Sequence, residues 1–191
     1  GSYKAGEVID IDVVFSAVVT VTGTPQITLE TGSTDQVVDY SSGSGGTTLT
    51  FNYTVQAGDT VSDLDYASTT ALALNSGTIQ DGSGNNASLT LPTVGGSDSL
   101  AGNEALVIDT TSPSISSSAT ASVAENQTSA IDINATDTNT IAYSISGGDS
   151  TDFSINSSSG VITFSSTPDY ESPDDSDTNN TYTFTATATD A

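Results

Sequence analysis

The sequence predicts an all-β protein built from two tandem antiparallel β-sandwich domains. Three observations predict it. Apolar residues alternate with polar ones in many short runs, which is the period of a half-buried strand. Clusters of Gly, Pro, Asn, Asp and Ser separate those runs at short intervals, as turns between strands do. Nowhere does the helical spacing i, i+3, i+4 persist for three turns. A chain of 191 residues is long for one sandwich and comfortable for two of about 100 residues each.

In the first half, Ile9, Ile11, Val13 and Phe15 alternate with Asp10, Asp12 and Val14. Gly23-Thr24-Pro25 turns into a strand carrying Ile27 and Leu29, and Val38 and Tyr40 lead to the Gly-rich turn at 41–46. Leu49, Phe51, Tyr53 and Val55 then alternate, and Leu72, Leu74, Ile79, Ala87, Leu89 and Leu91 supply further strand positions. A final strand carries Leu106 and Ile108. Pro113 forbids a ladder bond soon afterwards, so a domain boundary is expected here, with domains at 1–110 and 111–191.

The second half opens a strand pattern at Val123 to Asn126 and continues through Ile131, Ile133 and Ala135, then Ile141, Tyr143 and Ile145. Phe153 and Ile155 lead through a turn at 157–160 into Ile162 and Phe164, and the last pattern carries Tyr182, Phe184, Ala186 and Ala188. That is about six strands where such a sandwich has seven. The expectation is that the second domain lacks its last strand and leaves a sheet edge open, to which another copy of the chain could add a strand. The first strong pattern begins almost at residue 1, so the sequence reads as a fragment of a longer protein.

Composition narrows the chemistry. Lys4 is the one basic residue against 24 acidic ones, for a net charge of −23. Nucleic acid and anionic membrane surfaces would be repelled. The chain has neither Cys nor His, which excludes disulfides, thiolate nucleophiles and the usual general base and zinc ligand. Oxygen is nearly the only ligand chemistry left, and it suits a hard cation, Ca2+. No run approaches the length of a membrane span. Catalysis is not expected. Paired carboxylates can hydrolyse glycosides, but that chemistry wants an aromatic-lined cleft, and the chain has no Trp.

Two family resemblances add to this reading. From Val123 to Ala191, Ala-Glu-Asn at 124–126, Ala-Thr-Asp-Thr-Asn at 135–139, Ser-Gly-Val-Ile-Thr-Phe at 159–164, Pro-Asp-Tyr-Glu at 168–171 and Ala-Thr-Asp-Ala at 188–191 resemble a cadherin-type repeat, in the family's order. The resemblance implies one calcium site from Glu125, Asp169 and Glu171. It implies another from Asp137, Asn139 and Asp190, where the Asn is a departure that weakens the site because it ligates only through a neutral carbonyl.

The words Gly-Ser-Tyr-Lys-Ala-Gly-Glu-Val-Ile-Asp-Ile, Val-Thr-Gly-Thr-Pro-Gln-Ile-Thr-Leu-Glu, Tyr-Thr-Val-Gln-Ala-Gly-Asp and Val-Ile-Asp-Thr-Thr-Ser-Pro in the first half are similar to the bacterial Ig-like repeats of giant surface adhesins. That implies a secreted, extracellular module at a bacterial cell surface. Its partners would be neighbouring repeats of the same polypeptide.

Glu7, Asp63 and Asp65, together with Asp109, form a further candidate set of oxygen donors, since Asp63-Leu64-Asp65 can send two carboxylates from one side of a strand end. Asp109 leaves the last strand of the first domain and is expected to share calcium with Asp137 and Asp190. Two carboxylates about 4 Å apart repel by about 4 kcal/mol at an effective dielectric near 20, and a divalent ion reverses that sign. The 81–86 segment, Asp-Gly-Ser-Gly-Asn-Asn, reads as a tight turn. The leading functional reading is a calcium-stiffened extender of an adhesin. The alternatives are a calcium-dependent sugar- or peptide-binding module and a filament subunit assembling by strand donation.

Overall fold

The computed structural model describes residues 1–190. Strand accounts for 41% and helix for 4% of the chain, so the protein is all-β with a sandwich-like character. The chain divides into two compact units, Gly1–Thr110 and Thr111–Ala191, and each is described by itself.

The first unit opens with β1 (Ser2–Tyr3), the long β2 (Val8–Thr22), β3 (Gln26–Glu30), β4 (Gln36–Ser42) and β5 (Gly46–Thr54). Five short strands follow: β6 (Thr60–Val61), β7 (Asp65–Tyr66), β8 (Leu72–Ala73), β9 (Thr78–Asp81) and β10 (Val107–Asp109). One sheet runs in the order β7-β3-β4-β5-β2-β9, with β8 also on β3, and a smaller sheet runs β1-β10-β6. All pairs in this unit are antiparallel except β1 with β10. The 15 residues of β2 pair with β5 over Val8 to Val14 and again at Val19, and with β9 over Val19 to Thr22. The β2–β5 register breaks between Val14 and Val19, and an irregularity of this kind bends a sheet.

Alternation is what buries this core. Leu49, Phe51, Tyr53 and Val55 face inward with Ile9, Ile11, Ile27, Leu29 and Ile79, and Ile108 of the smaller sheet joins them. Val8 and Val14, on the opposite face of β2, stay exposed. One expectation is corrected here. Residues 87–91 form no strand: the Ala87 and Leu91 amides go to single carbonyls, Ile79 and Thr69, and Leu91 is buried without a ladder. A short helix α1 (Leu100–Asn103) precedes β10, with Ser99 as its N-cap.

The second unit contains β11 (Ser114–Ile115), β12 (Ser129–Asp132), β13 (Ala135–Thr136), β14 (Ala142–Ser146), β15 (Phe153–Ile155), β16 (Val161–Phe164) and β17 (Thr185–Thr189). They form three antiparallel sheets: β11-β13, β12-β16-β15 and β14-β17. The strand expected at Val123 to Asn126 is not formed, and a turn stands there. Asn126 takes a φ of 60°, a left-handed conformation outside the β region.

The core of this unit is small. Ile133, Phe153 and Ile162 are buried, and the packing is dominated by rings. Phe153 lies 4.6 Å from Phe164 and 5.0 Å from Phe184 between ring centroids, and Phe164 lies 5.2 Å from Tyr182. Gly160, at φ 73°, lets the β15–β16 turn press against β12. Its carbonyl accepts from the Ile133 amide at 2.9 Å, and a Cβ on it would collide with the Ile133 carbonyl oxygen.

Candidate metal centre

Glu125, Asp169 and Glu171 come together in the second unit, with one carboxylate oxygen from each lying within 4.8 Å of the others. All three are exposed. Backbone bonds build the arrangement across 45 residues of sequence. The Asn126 amide donates to the Pro168 carbonyl at 2.9 Å, and the Tyr170 amide donates to Glu125 Oε2 at 3.1 Å. The Glu171 amide donates to Asp169 Oδ1 at 3.0 Å, an Asx turn that aims the two acids of Asp169-Tyr170-Glu171 together.

A second convergence in this unit brings carboxylate oxygens of Asp137 and Asp190 within 4.8 Å. Asp190 follows β17, and Asp137 follows β13. The Asn139 amide donates to Asp137 Oδ1 at 3.0 Å, so the 137–139 loop is closed by its own first acid. Asp109 belongs to the first unit, where it ends β10 opposite Thr60 and is 2% exposed.

Glu7, Asp63 and Asp65 are in neither of the acidic groups found among the described residues. Each is engaged separately by backbone amides. Glu7 Oε2 accepts from Lys4 at 2.9 Å, and Asp63 Oδ1 accepts from Leu106 at 3.2 Å. Asp65 is buried and accepts from Tyr66 and Gly95, both at 2.9 Å. The two acids of Asp63-Leu64-Asp65 thus serve different loops.

Three buried carboxylates were not singled out by sequence. Asp59 accepts from Tyr53 Oη at 2.6 Å, the Gln56 amide at 2.9 Å and Gln36 Nε2 at 2.9 Å. Burial, then this hydrogen bond, pushes the Tyr53 phenol far above its ordinary range. Asp149 accepts from the Thr183 amide at 2.8 Å and the Ser176 amide at 3.0 Å. Those amides hold its carboxyl down at about 2. Asp175 accepts from the Asn179 amide at 2.9 Å and the Asn180 amide at 3.3 Å, which cap the acidic loop around it. The local sequence signal is the Gly147-Gly148-Asp149 turn and the 173–180 run of Pro, Asp, Ser, Thr and Asn.

Two groups in one unit therefore offer carboxylate oxygens to a hard cation, and residues 111–191 contain no Lys, Arg or His to neutralise them. Oxygen donors of this kind, completed by carbonyls and water, are what calcium takes. No helix among the described residues is long and apolar enough to cross a membrane. No family model matches the chain, and no curated protein or solved structure matches it.

Proposed function

We propose that the chain is a calcium-stiffened extender segment of a secreted adhesin on a bacterial surface, an Ig-like sandwich followed by a cadherin-like one. The observation that carries the reading is the convergence of Glu125, Asp169 and Glu171 in a unit without a single positive side chain. The three exposed carboxylates repel one another, by about 1 kcal/mol for a pair 4 Å apart in a water-like dielectric. An ion bound to the folded unit and absent from the unfolded chain stabilises by mass action. Asp137 and Asp190 supply the second site, with Asn139 as a neutral donor. An ion bound by the folded unit removes freedom from the loops that hold it and makes the segment a stiffer spacer. Its partners are then the adjoining repeats of the same polypeptide, and it performs no catalysis.

Calorimetric titration with Ca2+ alone tests this reading. Binding with a rise in melting temperature is expected, and Asp169→Asn with Glu171→Gln should abolish one site while leaving the apo fold intact. A melting curve identical in millimolar calcium and in excess chelator would overturn the reading.

A further inference from the structure

The first unit carries an open groove of about 780 Å³ along the N-terminal half of β2. All eight residues from Val8 to Phe15 line it. Side chains alternate between the two faces of a strand, so eight consecutive residues meet one groove at the strand's edge. That edge is open. Val8 to Val14 pair with β5 on one side, and β9 takes the other side of β2 only over Val19 to Thr22. The Val55 amide donates to the Glu7 carbonyl at 2.9 Å, one step before the pairing of Val8 with Thr54. Alternation then makes Ile9, Ile11 and Val13 the residues bonded to β5. The N–H and C=O groups of Val8, Asp10, Asp12 and Val14 face the other way, and among the described residues no backbone group bonds to them. Apolar side chains lie beneath. Ile9 and Ile11 are buried, and so are Ile27, Leu72, Leu91 and Leu106, which also line the groove. The far wall is drawn from within 88–92 and 98–106, which form no strand. An apolar trough along an unpaired strand edge is the arrangement to which an extended peptide adds by β-augmentation.

Charge narrows the occupant. Asp10 and Asp12 stand exposed on the edge itself, and Asp98 and Glu104 are exposed on the far wall. None of the four belongs to the acidic groups of the second unit. Asp10 accepts from Asn52 Nδ2 and Asp12 from Thr50 Oγ1, neutral donors that leave the charge in place. A strand added to this edge sets its outward side chains directly beside Asp10 and Asp12, where opposite charges attract and like charges repel. A second copy of the chain, at −23, would be repelled. We propose that the open edge of β2 receives an extended strand of another polypeptide, with apolar side chains turned inward over Ile9, Ile11 and Val13 and basic ones outward beside Asp10 and Asp12. The proposal rests on neither calcium binding nor the extender reading.

The test is a titration of the whole chain with a peptide of alternating valine and lysine, matched in length to the eight residues of β2 that line the groove. A valine and glutamate peptide tests charge. A lysine peptide with one central valine replaced by proline keeps the charge and removes a ladder donor. The lysine peptide should bind at least about tenfold more tightly than the glutamate one at low salt, and the proline peptide should not bind. The amides of Asp10, Asp12 and Val14 should gain exchange protection, while those of Ile9, Ile11 and Val13 should not change. Asp10→Asn with Asp12→Asn should narrow the preference for lysine at least about threefold. Indifference to charge or to proline, an unchanged preference in the double variant, or no binding at millimolar peptide would overturn the proposal. So would self-association that protects the Asp10 and Asp12 amides, since the occupant would then be a second copy.

Discussion

Asp149 shows how one carboxylate can tie together distant parts of a small unit. The amides of Thr183 and Ser176 converge on it, and they hold its folded-state pKa at about 2, below the unfolded value of about 3.9. A depressed folded pKa means the stabilisation is complete above the unfolded value and is lost as pH falls through the folded one. The melting temperature of the second unit should therefore drop as pH falls from about 4 to about 2. Asp149→Asn should lower it at neutral pH and flatten that acid limb, as thermal scans across the interval would show. Gly160 makes a different residue-scale prediction. Its positive φ and its closeness to the Ile133 carbonyl leave no room for a side chain, so Gly160→Ala should destabilise the unit by about 2 kcal/mol or more. Chemical denaturation would measure it. The turns at 147–149 and 157–160 have local sequence signals, but nothing local to Gly147-Gly148-Asp149 reveals that residues 176 and 183 return to it.

At the scale of the element, the clearest strands were those with one solvent face. In β5, Leu49, Phe51 and Tyr53 are buried while Asn52 is exposed, so alternation alone identified both the strand and its inward side. The same pattern misled at 87–91, where Leu91 is buried although its amide goes to a lone carbonyl; burial of an apolar residue does not require a ladder. It misled again at Val123, because the left-handed Asn126 turns the chain before a strand can form. Of the candidate sites, the Asp169-Tyr170-Glu171 pair is visible as a motif, and its Asx turn follows from the residue types. Its meeting with Glu125 came only through family resemblance, since a separation of 45 residues lies beyond any local periodicity. Asp63 and Asp65 look equivalent in sequence and differ in space because backbone amides of two different loops claim them.

For the whole molecule, the two units differ in how much they bury. Eighteen residues form the buried core of the first and three that of the second, so the second has far less apolar burial to set against its chain entropy. Calorimetry in chelator should resolve two transitions, the lower belonging to the second unit. Calcium should raise that lower transition, because Glu125, Asp169, Glu171, Asp137 and Asp190 all lie within that unit. A single transition unmoved by calcium would contradict both expectations. Charge acts on every part of the chain at once: with 24 acids against one lysine, added monovalent salt should also raise stability by screening, to a lesser extent than calcium at equal ionic strength.

Lys4 is exposed and stands beside β1, and it is the one basic side chain in residues 1–191. A digestive protease that cuts only after lysine or arginine has a single peptide bond to attack, and that cut would leave residues 5–191 in one piece. The same scarcity leaves one side-chain amine in residues 1–191, beside β1, for amine-reactive dyes to label.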